Sequence, residues 1–444
     1  MRQRIPIKAP RSVAVGAVLA AAVLSACGSS SKSTSAPTTS QASTAVTTPL
    51  AGTAPTTPQA SSAGTSTGAC TQGSGPPVKV LTILEESQAL NIHQQSLRAG
   101  IDAAVKRINC QGGLGKAGSP VEVDYCASNL DPNAVNACAN RAVNDQGYVA
   151  AVGSGAAEGE PATILASAGV PNIPKDDYGS DLTGTTTFLP MVGGGLLGPG
   201  EPIMACQLGY KKVSLLLIQV PAAAKVTDLD NAALTSYGCP TLSNVVPVPA
   251  TATDLSAQVT AASQGADAVV VAISPAQVAS AFKVRDQLGI KTPFISNSGT
   301  MSAETIKAAG SAADGLLVEM QTYLPPANAS VPGVTQFRAD MAASGQSAEV
   351  DGNSAAGWLT VDLLATAAKG LATVDRKSVL QALGSISSYD AGGMIPPVDF
   401  TKSAPLPDFP RLFNTSFSTA VLQNGQFEIE PKLAKFIPFF KAAT

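Results

Sequence analysis

The chain reads as an α/β protein of two doubly wound parallel-sheet lobes. Three observations carry that expectation. Short apolar runs alternate with stretches of helical periodicity, the order that builds βαβ units and parallel sheets. The runs are nearly continuous rather than alternating, as in strands that helices cover on both faces. The whole unit then occurs twice, first from residue 78 and again from residue 212.

In the first block, 78–84 ("VKVLTIL") is a strand. Residues 93–109 carry Leu97, Ile101, Ala104, Val105 and Ile108 at helical spacing. A strand at 121–126 follows, then a helix over 131–145 with Asp131 as N-cap and Pro132 at the first helical position. Residues 148–154 form the next strand, a helix starts near Pro161, and "GVPNIP" (169–174) closes the block. In the second block, strands at 212–220, 242–248, 266–274, 292–297 and 315–321 alternate with helices near 227–237, 254–264, 275–288 and 302–309. Three further helices follow, one with Trp358, Val361, Leu364 and Ala365 on an apolar face, where Trp358 is expected in the core. A hairpin over 418–430 turns at Asn424-Gly425.

The 444 residues suffice for two or three domains, and 45% apolar against 13% charged residues indicates a large core. A net charge of −3 gives no electrostatic case for nucleic acid or anionic lipid. His93 is the single histidine, which excludes a multi-histidine metal site.

Arg2, Arg4, Lys8 and Arg11 precede a short apolar run, 13–24, too short to span a bilayer. It ends in Leu24-Ser25-Ala26-Cys27, which resembles the lipobox of bacterial lipoproteins. That resemblance implies a signal peptide over 1–26 and a lipid on Cys27, and so an extracytoplasmic, membrane-anchored protein. Residues 27–77 are rich in Ser, Thr, Ala and Pro and cannot bury a core, so they read as a tether of about 40 Å as a coil. Six cysteines remain, an even number that favours three disulfides in an exported chain. Many pairings are formally open. Nearest-neighbour pairing is the expectation: Cys70–Cys110, Cys126–Cys138 and Cys206–Cys239. No C-x-x-C occurs, which argues against a redox or zinc site.

The ordered set "AGIDAAVKRINCQGGLG", "VEVDYCASNLDPNAVNACANRAVND", "ILASAGVPNI", "QLGIKTPFISNSG", "AADGLLVEM", "NSAAGWLTVDLLATAAKG" and "VLQNGQFE" resembles the leucine/isoleucine/valine-binding family of type I periplasmic binding proteins, over about 78–444. The resemblance implies two lobes joined by three hinge crossovers, 78–193 plus 324–400 and 194–323 plus 401–444, with a small ligand held between them. It implies an ABC importer's solute-binding component that docks on a permease, acts as a monomer, and has no cofactor and no catalysis.

The family's ligand loops are matched one at a time. His93 stands where relatives often place an aromatic residue near the first helix. The loop "AVGSGAAEGEP" (151–161) matches the segment where amino-acid binders carry serines for the ligand carboxylate. Here it offers Ser154, Ala156, Ala157 and Glu158. "PKDDYG" (174–179) offers Asp176, Asp177 and Tyr178. In lobe 2 the strand ends bring Gln219 and Ser274, and Pro221 to Ala224 replace a frequent tyrosine. Ser298 stands where relatives place an acid for the ligand ammonium. Glu85 ends a strand that faces the same cleft. An α-amino acid needs partners for both of its charges. These residues supply neither set, so a neutral, amide-like, polyol-like or cationic ligand is expected.

Other chemistry finds little support. "GSG" (153–155) and "NSG" (297–299) are not nucleophile elbows, and "GGLGKAGS" (112–119) lacks P-loop spacing. The G-x-G-x-x-x-G of the 151–161 loop follows the third strand, whereas the dinucleotide fingerprint sits at the first βα turn. The remaining alternatives are a sensory or accessory binding lipoprotein without its own permease, an extracytoplasmic enzyme relying on His93, and an envelope interaction protein on the same fold.

Overall fold

The computed structural model describes residues 70–86, 93–156, 158–193, 198–220, 223, 226–326, 330–402 and 409–441. The leader, Cys27, the tether up to residue 69 and Ala157 lie outside the described residues, as do Pro221, Ala222 and Ala224.

The first sheet is built from β1 (Val78–Leu84), β2 (Val121–Ala127), β3 (Tyr148–Val152) and β4 (Asn172–Ile173). All are parallel, in the order β2-β1-β3-β4. Helices α1 (Gln95–Cys110), α2 (Pro132–Asn144) and α3 (Pro161–Ser167) connect them. The sheet is doubly wound, as alternate residues of β1 show. Val80 and Leu84 join α1 in one core cluster. Leu81 and Ile83 join Val135, Ala139 and Leu165 of α2 and α3 in another. The Asp131 side chain accepts from the Asn133 and Ala134 amides, so the expected N-cap of α2 forms.

The second sheet contains β5 (Val213–Gln219), β6 (Asn244–Pro249), β7 (Ala268–Ala272), β8 (Phe294–Asn297) and β9 (Leu317–Met320), all parallel. Helices α4 (Gly200–Gln207), α5 (Val226–Ser236), α6 (Ser256–Ser263), α7 (Pro275–Gln287) and α8 (Ala303–Ala309) belong to the same run of chain. Strands β10 (Ser416–Gln423), β11 (Gln426–Glu428) and β12 (Phe436–Pro438) add an antiparallel edge, so the sheet is mixed. Its parallel part runs β6-β5-β7-β8-β9, the order of the first sheet extended by one strand. The hairpin turn is at Asn424 and Gly425, both with positive φ, as a type I′ turn demands.

Helices α9 (Pro332–Ala343), α10 (Gly352–Ala368) and α11 (Arg376–Ser385) return to the first sheet. There α10 packs against α1 and β3, and α11 against β3. The chain therefore passes between sheets three times, as expected. Trp358 is a core residue, 2% exposed, and its indole donates to Asp340 at 2.7 Å. Disulfides join Cys70 to Cys110, Cys126 to Cys138 and Cys206 to Cys239. Nearest-neighbour pairing is thus observed.

Two elements depart from the sequence expectation. β6 was expected to be covered on both faces. It is instead a largely exposed edge strand, and Pro247 and Pro249 leave its outer edge short of amide donors. Helix α4 was not expected at all. Residues Gly200 to Ala205 are buried, so no polar stripe marks its period.

Candidate functional site

Both sheets share the 2-1-3-4 strand order, and such sheets bind ligands outside the carboxyl ends of their strands, at the switch between the first and third. In the first sheet those ends are Glu85 and Glu86 after β1 and the 153–160 loop after β3. In the second they are Gln219 after β5 and Ile273-Ser274 after β7.

The 153–160 loop is shaped by close approach. The Gly155 amide donates to the Ile83 carbonyl at 3.2 Å, extending the pairing of β1 with β3. A Cβ on Gly155 would lie 2.2 Å from Asp176 Oδ2. Glycine is therefore required for the Asp176 carboxylate to stand there. Asp176 is 2% exposed and forms a very short ion pair with Lys175, whose amide donates to Ser154 O at 3.0 Å. The Asp177 carboxylate accepts from the Gly193 amide at 3.0 Å.

Gln321, immediately after β9, crosses from the second sheet to this corner. Its amide nitrogen lies 3.3 Å from the Lys175 carbonyl and 3.4 Å from Asp176 Oδ1, and its own carbonyl oxygen is buried without a partner. The carboxyl ends of the two sheets thus meet at Asp176, which stands between Gly155 and Gln321.

Tyr178, partly buried, lies amid acids. Desolvation pushes its hydroxyl well above the usual range, and Asp176, Glu85, Asp177 and Glu158 add to the effect. Glu158 Oε2 is buried without a hydrogen-bond partner. The structure therefore groups Glu85, Glu158, Asp176, Asp177 and Tyr178, with Lys175 among them.

The other expected residues have local duties. Ser154 Oγ accepts from the Ile83 amide at 3.0 Å. Ala156 packs in the core beneath α2 and α3. Ser298 is fully buried, accepts from the Gln321 amide at 3.2 Å and lies against Gly352 at the start of α10. Ser274 is the N-cap residue of α7, and its hydroxyl donates to Gln277 Oε1 at 3.1 Å. Gln219 is exposed at its strand end, and His93 is exposed two residues before α1. Lys175 and Gln321 were not singled out from the sequence. The acids beside Lys175 in "PKDDYG" were the only local signal for it, and no local signal pointed to Gln321.

Below the crossovers lies a second acidic group. Glu201, in the first turn of α4, and Glu319, in β9, are both fully buried. Glu319 accepts from the Gly198 amide at 3.2 Å, and Glu201 accepts from Asn297 Nδ2 at 3.2 Å. Burial holds both carboxyls protonated well above the usual range, and the nearby Asp230 reinforces this. Burial likewise pushes Asp230, on α5, up to about 7.

Among the described residues, no group of three His, Cys, Asp or Glu side chains could hold a metal ion. No described helix is long and apolar enough to cross a membrane.

The fold is shared with solved structures. The leucine-binding protein LivK of Thermotoga maritima aligns at TM-score 0.61 and 19% identity, over 80% of this chain and 97% of that one. The branched-chain amino acid binding protein LivJ of Streptococcus pneumoniae, solved with isoleucine, aligns at 0.64 and 19%, over 82% and 99%. A fatty acid ABC transporter substrate-binding protein from Thermomonospora curvata aligns at 0.62 and 15%, over 82% and 95%. A search of curated proteins finds no match. The sequence profile of the periplasmic binding protein family matches residues 77–406, which span the first sheet, the parallel strands of the second and the returning helices. The chain therefore belongs to the periplasmic binding protein family, extracytoplasmic proteins that bind solutes rather than transform them.

Proposed function

We propose that this protein captures a small solute between two lobes, 78–193 plus 324–400 and 194–323 plus 401–444, and delivers it to the permease of an ABC importer. Lipid on Cys27 holds it at the membrane as a monomer, and 27–77 let the lobes reach the permease. The ligand seat is the corner where the two sheets' carboxyl ends meet, and it lies at the first sheet's switch point. That convergence carries the reading.

The ligand is not a simple α-amino acid. The loop that would hold a carboxylate carries Glu158, and the Asp176 carboxylate stands beside it, with Asp177 next in the chain. A zwitterion would face repulsion where it needs donors. Mass spectrometry of the natively purified protein is the test. One small molecule released per chain on denaturation supports capture. Micromolar binding of leucine, isoleucine or valine by calorimetry overturns the ligand assignment.

A further inference from the structure

Resting on that reading of the cleft, the geometry points to an organic cation as the ligand. Its ammonium or guanidinium group is seated against Glu158 and the side-chain carbonyl of Gln321. Two buried acceptors in this corner lack donors, Glu158 Oε2 and Gln321 Oε1. Gln321 is only 2% exposed, and a buried acceptor left without a donor is costly. Its amide is fixed beside Asp176, whose other carboxylate oxygen stands against Gly155 in the Glu158 loop.

The charge balance points the same way. Asp176, Glu85, Asp177 and Glu158 all act electrostatically on the Tyr178 hydroxyl. Lys175, beside them, is paired with Asp176. An entering cation donates charge-assisted hydrogen bonds to the Glu158 and Gln321 oxygens, whereas an anion or a zwitterion's carboxylate brings these two acceptors no donor. The Ser154 and Ser298 hydroxyls already accept backbone amides, from Ile83 and Gln321. Among the described residues no side-chain cluster suits a metal ion, which leaves a nitrogen-borne charge.

Thermal shift and calorimetry on the purified protein test this with putrescine, cadaverine and agmatine, beside leucine and 1,4-butanediol. The diol is a neutral analogue of putrescine's length. At least one amine is expected to raise the melting temperature and bind, and the diol to leave it unchanged. Glu158→Gln is expected to weaken that binding at least tenfold with an unchanged circular dichroism spectrum, and Gln321→Leu to weaken it as well. Because the amine and diol comparison uses the unaltered protein, it decides the matter even if a variant misfolds. Silence from every amine, equal binding of the diol, or amine binding untouched by Glu158→Gln overturns the inference. A neutral molecule released from the native protein would overturn it while leaving solute capture standing. No bound molecule and no response to any compound would remove both.

Discussion

Gly155 stands where the Asp176 carboxylate passes closest to the β3 loop. The sequence suggested that the loop's glycines let backbone approach a ligand, and at Gly155 the close neighbour is instead a side chain of the same lobe. Adding one methyl group there forces the Lys175–Asp176 pair to move. Overpacking of this kind costs about 1–3 kcal/mol. Gly155→Ala is therefore expected to lower stability by that amount in urea unfolding and to weaken ligand binding. An unchanged midpoint would show that the pair shifts freely. The residues legible in the sequence were those on the loops themselves, such as Glu158, Asp176 and Tyr178. Gln321 was not legible, because its meaning lies in a contact with Lys175 and Asp176 145 and more residues away. Hydrophobic periodicity reports which face is buried, not which distant loop a polar side chain will meet.

Asp230, Glu201 and Glu319 make a pH prediction at the same scale. Their folded-state pKa values are raised, chiefly by burial. Above about pH 4 the unfolded chain gives up these protons while the folded chain keeps them. Stability contributed by these groups is thus full below that pH and falls as pH rises toward the folded values, to about 7 for Asp230. Each group contributes a slope of up to about 1.4 kcal/mol per pH unit within its window. Asp230→Asn is expected to flatten the fall in melting temperature between about pH 4 and 7 and to stabilise the protein at pH 8. A variant whose pH profile parallels the unaltered protein would contradict the assignment.

At the scale of elements, strands and helices with a clear apolar pattern or a cap signal were legible, and those without were not. Asp131, Pro132 and Pro161 announced α2 and α3. Helix α4 gave no signal because it is buried nearly all round, and β12 is too short to show a period. The pattern of β6 suggested burial, but its place at the sheet edge could not be read locally.

Helix α10 shows how an element can join the lobes. Asp351 caps it by accepting from the Ser354 amide at 2.8 Å, and Ser354 returns the capping-box bond. The other Asp351 oxygen accepts from the Ala303 amide at 3.0 Å, the first residue of α8 in the second lobe. One buried carboxylate thus serves the starts of two helices in different lobes. Loss of one N-cap costs about 1 kcal/mol. Asp351→Ala is expected to exceed that figure in chemical denaturation, because it removes the cap of α10 and also the acceptor of the Ala303 amide in α8. It should also loosen the contact between lobes, seen as faster amide exchange at Ala303. Slow exchange there in the variant would argue against a shared cap.

At the scale of the molecule, described residues that flank the passages between sheets are tied to one another. Leu189 pairs with Leu412, and the Arg411 guanidinium lies 5.0 and 5.1 Å from the centres of the Phe188 and Phe413 rings. Phe400 meets both rings edge-on. The Tyr323 amide donates to Met394 O at 2.7 Å on another passage. In the proposed closure this packing sets the axis of turning, and the contacts at Gln321 and Asp351 are the ones expected to part. The repeat of the βαβ block was legible in the order of elements, and the return of the late helices came with the family resemblance. The closeness of the lobes was not, since it depends on contacts between distant loops.

The central claim, capture of a solute between closing lobes, is tested most directly by small-angle X-ray scattering on the protein stripped of small molecules by unfolding and refolding. Readdition of the molecule released from the native protein is predicted to reduce the radius of gyration and restore the native profile. Identical scattering with and without that molecule, at concentrations where calorimetry shows it bound, would contradict lobe closure on a captured solute.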